Sequence, residues 1–409
     1  MTATAPGKLI VTGEYAVLDG APALVVAMDR RVVARFARRD ASATPSRVIG
    51  SSPFLLALAR EIEVRYGAEA AARALSIVVD SSSFYDGARK LGLGSSAAVT
   101  VAATALALAA SAVAATSAPA AMTSQGTSPQ GAMDASAMTS GTIDRRAILA
   151  IADAAHAQAQ GAMGARGSGA DIASAVYGGA IVFTRSYAST SSTPTSSTPT
   201  PASSAAASDP ASNAASDVPS VVKNASTPAS SAASDPTSNR ASDVPSVVKR
   251  TWPHSVRIVP FFTGVSASTT DLVARVSAAR TNNPIVVDAA LAAIADASRA
   301  ACKAITAPAD LVQTALIAAL SLGGSAIDRL AIATGVDLVP PCVTAARAQM
   351  LHFGGTAKTT GAGGGDIGIA VIPATADVTE VRLALIQAGC QVLQLSVDET
   401  GVDLQTNAQ

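Results

Sequence analysis

The 409-residue chain is short of charge, aromatic rings, histidine and cysteine. Charged residues make up 14% of it, and its 29 Lys and Arg balance its 29 Asp and Glu. Zero net charge excludes a nucleic-acid or anionic-membrane binder that works through bulk positive charge, and leaves room only for a local basic site. Aromatics are 3% of the chain, so its 49% of hydrophobic residues is carried mainly by alanine and valine. Cys302, Cys342 and Cys390 are too few and too scattered for a disulfide framework or a zinc site. His156, His254 and His352 lie far apart, and no HExxH pattern is present. The opening MTATAPGKLIVTGEYAV shows no basic segment followed by an apolar one, which gives the expectation of a cytoplasmic protein without a secretory signal.

No charged residue falls between Lys90 and Asp134, and 97–115 is apolar apart from Thr100, Thr104 and Ser111. Length alone permits a membrane span. The residues are mostly alanine, however, which gains little from lipid, and a Gly-Ser turn precedes them. A buried, alanine-rich helix is the expected outcome.

Two stretches read as insertions. Residues 116–142 are rich in Ser, Thr, Ala, Met and Gly without periodicity, and 186–250 are almost entirely Ser, Ala, Thr, Pro, Asp and Asn. Within the second, the nonapeptide ASDVPSVVK occurs at 215–223 and again at 241–249. Such composition buries too little apolar surface to offset chain entropy, so both are expected to be disordered loops. Outside them, 8–12, 23–28, 32–36, 76–79, 180–184, 256–263, 367–372 and 392–397 read as strands. Helical spacing covers 53–66, 148–160, 271–279, 286–304 and 311–322. The runs at 180–184 and 256–263 flank the long insertion and are expected to pair as a hairpin with the insertion at its tip. The order of elements is that of an α+β protein with two lobes, not a regular βαβ succession.

Four short segments carry chemistry. In Gly92-Leu93-Gly94-Ser95-Ser96-Ala97, two glycines allow a tight turn that exposes N–H groups at the start of the alanine-rich helix, which is the make-up of a phosphate site. It is neither a Walker A loop nor GxGxxG, and alone it is an ordinary helix cap. Gly361-Ala362-Gly363-Gly364-Gly365-Asp366, preceded by Lys358-Thr359-Thr360, places glycines where something approaches the backbone closely. Gly167-Ser168-Gly169-Ala170-Asp171 puts an acid at a helix start, where it would ordinarily serve the dipole. Lys8, after Ala5-Pro6-Gly7 and before Gly13-Glu14-Tyr15-Ala16-Val17, is a lone cation on an apolar strand.

Together, and in this order, the segments resemble the GHMP kinase superfamily, whose three motifs match 6–17, 92–98 and 358–366. The similarity reaches both ends of the chain outside the insertions. Tyr15, Asp366 and the stretch Thr263-Gly264 with Ala267-Ser268-Thr269 are most similar to the phosphomevalonate kinase branch. The resemblance implies an α+β, two-lobed fold: an N-terminal ATP-binding lobe over 1–265 related to a ribosomal-protein domain, and a ferredoxin-like α+β lobe over 266–409. It implies transfer of phosphate from ATP, with Mg²⁺, to (R)-5-phosphomevalonate, the alternative being mevalonate kinase or another small-molecule kinase of the superfamily.

By the same resemblance, Asp171 is the catalytic carboxylate with Lys8 beside it. Gly92, Leu93, Gly94, Ser95, Ser96 and Ala97 hold the nucleotide, with Ser96 toward the metal, and Gly361, Ala362, Gly363 and Gly364 close over the phosphates. Glu14, Tyr15, Ser168 and Thr269 would serve the acceptor, and Arg166, Lys90 and Lys358, each next to a functional loop, are candidate cations for its phosphate. Gln160 stands where mevalonate kinases place a metal-binding glutamate. Partners are expected to be small molecules, with no nucleic acid or membrane and with homodimerisation left open.

Overall fold

The computed structural model describes residues 1–37, 52–117, 143–164, 167–185 and 245–405. The expected disordered loops at 118–142 and 186–244, and Arg166, lie outside the described residues. The described residues belong to one compact unit, 1–186 with 244–409.

The first strand, β1 (Thr2–Thr12), pairs antiparallel with β2 (Ala23–Phe36). The two strand runs expected at 23–28 and 32–36 are thus one 14-residue strand, with Met28 and Val32 inside, Asp29 and Arg30 exposed and Arg31 half-buried. Between β1 and β2 the chain makes a short 3-10 turn, Ala16–Asp19, closed by Gly20 in the left-handed region. Helices α1 (Pro53–Tyr66) and α2 (Ala68–Leu75) follow, then β3 (Ile77–Asp80), which pairs with β2. The span of α1 is as expected from its spacing: Pro53 opens it at a position where no N–H is needed, and Gly67 ends it. A small hairpin, β4 (Tyr85–Asp86) with β5 (Arg89–Lys90), leads to α3 (Ser95–Ser117). After it come α4 (Arg145–Ala162), α5 (Ala170–Tyr177) and β6 (Ala180–Thr184), which pairs with β2.

The alanine-rich α3 is a core helix. Ala97, Ala98, Val101, Ala102, Ala103, Ala105 and Leu106 are all buried, and their small side chains let the helix lie close over β1 and β2. By length and composition α3 and α8 (Val312–Thr334) could each cross a membrane, but 72% of the α3 stretch Ser95–Val113 is buried within the fold.

The hairpin across the long insertion differs from the expected one. The partner of β6 is β7 (Ser246–Arg250), with Thr184 opposite Ser246, whereas β8 (Val256–Phe262) belongs to a second sheet. All residues of β7 but Arg250 belong to the second copy of the repeat, and all were expected to be loop. Their two β-branched valines are enough for a solvent-facing edge strand once β6 offers a paired edge. Because Thr184 and Ser246 are cross-strand neighbours, a turn of a few residues can replace 187–243. A variant with that replacement is expected to keep the melting temperature of the parent and any phosphotransfer activity, measured side by side.

The first sheet runs β12-β1-β2-β6-β7, because β12 (Asp403–Gln405) brings the C-terminal end back to β1. The second runs β11-β8-β10-β9, with β9 (Thr356–Thr359), β10 (Ile367–Pro373) and β11 (Gln391–Val392). The strand expected at 392–397 is therefore only its first residue, followed by a single bridge from Val397 to Met28. Since β8 lies in the second sheet, the chain passes from the first sheet to the second between Arg250 and Val256. Every strand pair among the described residues is antiparallel, in keeping with an α+β protein. Helices α6 (Thr269–Asn282), α7 (Pro284–Ala304) and α8 form an apolar cluster that takes in Tyr15 and Ala16. The second sheet is backed by α9 (Pro341–Met350) and α10 (Val378–Gln387).

Candidate active site

A cavity of about 660 Å³ opens where β1, the N-terminal ends of α3, α5 and α6, and the glycine loop before β10 meet. Its lining includes Lys8, Glu14, Tyr15, Gly92, Gly94, Ser96, Ser168, Asp171, Thr269, Gly361 and Ala362 from the residues singled out in the sequence. Lys90, Gln160, Ser266, Ser268 and Asp366 are there as well. Three helix N-termini thus face one space, each contributing the partial positive charge of its dipole.

The turn before α3 is built around Lys8. The Lys8 N–H donates to the Leu93 carbonyl at 2.9 Å, joining β1 to the turn. A Cβ on Gly94, which has φ +75°, would stand 2.9 Å from Lys8 Cε, so glycine here lets the lysine stem cross over the loop. Burial pulls the Lys8 ammonium below the ordinary lysine range, against the opposing fields of Asp171 and Asp366. Ser96 lies in the first turn of α3, where its hydroxyl is 3.2 Å from Nε2 of His156 on α4. His156 is buried and stacks on Phe54 with ring centroids 4.9 Å apart, which fixes the hydroxyl's neighbour. Leu93, Ser95 and Ala97 are buried under the loop rather than lining the cavity.

Asp171 stands in the first turn of α5, one of its oxygens taking the Ile172 N–H at 3.1 Å. Ser168 Oγ accepts the Ala170 N–H at 3.2 Å and tightens the same turn. Behind it Asp153 pairs with Arg185, and burial pushes the Asp153 carboxyl up despite that partner.

Three expectations are revised. Lys358 does not reach the cavity. It is fully buried on β9, and its ammonium donates to the carbonyls of Val11 (2.9 Å) and Thr359 (2.7 Å) and to Glu14. An ammonium has three protons, all engaged here, so none remains for an acceptor. Glu14 lines the cavity but is held by this ion pair, and burial raises its carboxyl against the pull of Lys358. Third, the glycine run is approached from two sides. Gly361 and Ala362 face the cavity, while a Cβ on Gly363 would stand 2.5 Å from the Leu338 carbonyl and one on Gly364 would stand 2.8 Å from Leu272. Those two glycines accommodate protein rather than ligand.

Tyr15 connects the first and third motifs, its hydroxyl donating to the Ala362 carbonyl at 2.6 Å. Tyr15 (φ 58°) and Asp366 (φ 52°) are the only described non-glycine residues with positive φ, and both line the cavity. Such conformations are costly for non-glycine residues and collect at functional sites. In the sequence Asp366 marked the end of a glycine run and a likeness to one branch of the superfamily, with no role at the site.

No family model matches the chain, and no curated protein matches its sequence. Solved structures do match over nearly its whole length. A Listeria innocua protein is 19% identical with a TM-score of 0.62, covering 98% of this chain and 99% of that one. The Streptococcus pneumoniae phosphomevalonate kinase, solved with phosphomevalonate and AMPPNP, is 15% identical with a TM-score of 0.58, covering 97% and 99%. The L. major mevalonate kinase, solved with R-mevalonate, is 14% identical with a TM-score of 0.54, covering 98% and 97%. The chain shares its fold with these three solved structures, two of which are the phosphomevalonate and mevalonate kinases named.

Proposed function

We propose that the cavity is the active site of a small-molecule kinase that moves the γ-phosphoryl group of ATP to the phosphate of (R)-5-phosphomevalonate, giving 5-diphosphomevalonate on the mevalonate route to isoprenoids. The observation that carries this reading is the convergence of three helix N-termini and Lys8 on one cavity of nucleotide size. Such an arrangement suits two polyanions held face to face. The fold shared with a phosphomevalonate kinase solved with its acceptor and an ATP analogue supports it.

In this reading the turn at Gly92, Gly94 and Ser96 holds the ATP phosphates and Gly361 and Ala362 cover them. An oxygen of the acceptor phosphate attacks the γ-phosphorus, the bond from that phosphorus to the β,γ-bridging oxygen breaks, and ADP leaves. Phosphoryl transfer needs alignment and charge neutralisation more than covalent help from the protein. The acceptor phosphate has a second pKa of about 6 and arrives at neutral pH mostly without its last proton. Asp171 takes that proton when it is present, and Lys8 neutralises charge on the transferring group. The residues fit a magnesium ion: Ser96 offers a hard oxygen at the phosphate loop, and Mg²⁺ is commonly held by few protein ligands together with substrate phosphates. No cluster of three His, Cys, Asp or Glu able to hold a metal by itself occurs among the described residues, so the nucleotide would supply the remaining ligands. When bound, the ion would neutralise phosphate charge.

On the acceptor side the hydroxyls of Ser266, Ser268 and Thr269 and the N-terminus of α6 face the cavity. Lys90 and Arg166 are the cations proposed for the acceptor phosphate, Lys90 lying at the cavity rim. Lys90→Ala is expected to raise the KM for phosphomevalonate about tenfold, the value of one charge-assisted contact, with the KM for ATP changed less. Initial-rate kinetics with each substrate varied in turn checks this. The function itself is tested by measuring ADP release with ATP, Mg²⁺ and a panel holding phosphomevalonate, mevalonate, homoserine and galactose. Release with phosphomevalonate alone supports the reading; release with mevalonate alone transfers it to the alcohol acceptor.

A further inference from the structure

Asp366 takes no part in the chemistry outlined above, yet its surroundings are unusual. It sits at the junction between the glycine loop and β10 with φ 52°. Its backbone is fixed on both sides: its N–H donates to the Val265 carbonyl at 2.6 Å, and its own carbonyl accepts the Thr263 N–H at 2.9 Å. The side chain lies between two other segments. On one side is the turn before α3, where a Cβ on Gly92 would stand 2.7 Å from Asp366 Cβ and 2.9 Å from Oδ2. On the other is the loop leading into α6, whose Ala267 N–H meets the carboxylate. Lys8 and Lys90 flank it, and burial nevertheless raises its carboxyl above the ordinary range.

We propose that the Asp366 side chain is a positioning strut, which sets the spacing between the phosphate-loop turn at Gly92 and the acceptor-side loop 263–269. The proposal rests on the phosphotransfer reading for which end holds nucleotide and which holds acceptor. Its physical content is separate. The Asp366 side chain packs against the Gly92 turn so closely that a Cβ there would clash, and its carboxylate takes the Ala267 N–H, so the two walls of the cavity cannot drift apart without breaking that contact. In-line transfer is sensitive to such drift, because a misplacement of about 1 Å can cost about 10²-fold in rate.

Two variants separate the strut from other roles. Glycine adopts positive φ without strain, so Asp366→Gly keeps the backbone and removes the side chain. Asparagine also tolerates this region and keeps an oxygen for the Ala267 N–H, so Asp366→Asn removes only the charge. The expected result is a fall in kcat of about tenfold or more for Asp366→Gly, a raised acceptor KM, an ATP KM within about threefold, and recovery of most of the loss in Asp366→Asn. Amide hydrogen exchange supplies a readout independent of turnover: peptides covering 263–270 should lose protection in the glycine variant and keep it in the asparagine variant. If Asp366→Asn is as damaging as Asp366→Gly, the charge matters and the strut is wrong. If both variants match the parent in rate and exchange, Asp366 positions nothing. A chain that phosphorylates no acceptor yet shows the exchange difference keeps the strut and loses the kinase reading.

Discussion

Turnover of an Asp171→Asn variant is expected to fall by about 10²–10⁴-fold, the range for losing a positioned acid or base group, while the Kd for a non-hydrolysable ATP analogue stays within about threefold. Asn fills the same space and can still take the Ile172 N–H, so the first turn of α5 is kept. What disappears is the negative charge facing Lys8 and the group able to receive a proton. Nucleotide contacts from the turn at Gly92, Gly94 and Ser96 are made by another element, α3, and have no reason to change. Calorimetric titration with the analogue, set beside steady-state rates, separates the two effects. Loss of nucleotide binding together with rate would mean that Asp171 shapes the fold of the site instead of its chemistry.

The second large effect concerns stability. Lys358→Met should lower the unfolding free energy by about 3–5 kcal/mol, the cost of leaving a buried charge without its partner. Glu14 is 2% exposed and Lys358 is 0% exposed, and one oxygen of Glu14 already has no hydrogen-bond partner among the described residues. Methionine replaces the stem of Lys358 but abandons the Glu14 carboxylate and the carbonyls of Val11 and Thr359. Adding Glu14→Gln removes the stranded charge, so the double variant should recover a substantial part of the loss. Urea unfolding of the two single variants and the double variant gives the coupling energy directly. A loss below about 1 kcal/mol for Lys358→Met would place the lysine at the surface energetically, contrary to the packing.

The same pair marks the limit of what the sequence made legible. The three motif segments, the residues at 53–66 as a helix, and the buried alanine-rich helix follow from local pattern: spacing, caps and composition. Lys358 was expected to serve the acceptor because it stands beside a glycine loop, and lysine is almost never fully buried without a partner. Its partner is 344 residues away, and no local pattern carries that information. Gly363 and Gly364 fail for a related reason: a glycine signals close approach but not which group approaches, and here it is Leu338 and Leu272. The strand at Ser246–Arg250 was hidden by the low-complexity composition around it, since an edge strand facing water needs few apolar residues. The C-terminal strand β12 is three residues long and owes its existence to the open edge of β1.

The central claim is that this cavity transfers a phosphoryl group onto a phosphate through Asp171. Phosphorus NMR of the protein with ATP, Mg²⁺ and phosphomevalonate follows every phosphorus at once. The account predicts that the γ-phosphate signal is replaced by the paired doublets of a new diphosphate as ADP accumulates, and that Asp171→Asn abolishes this at matched protein concentration. Disappearance of ATP without a new diphosphate, or equal product from the variant, would contradict it.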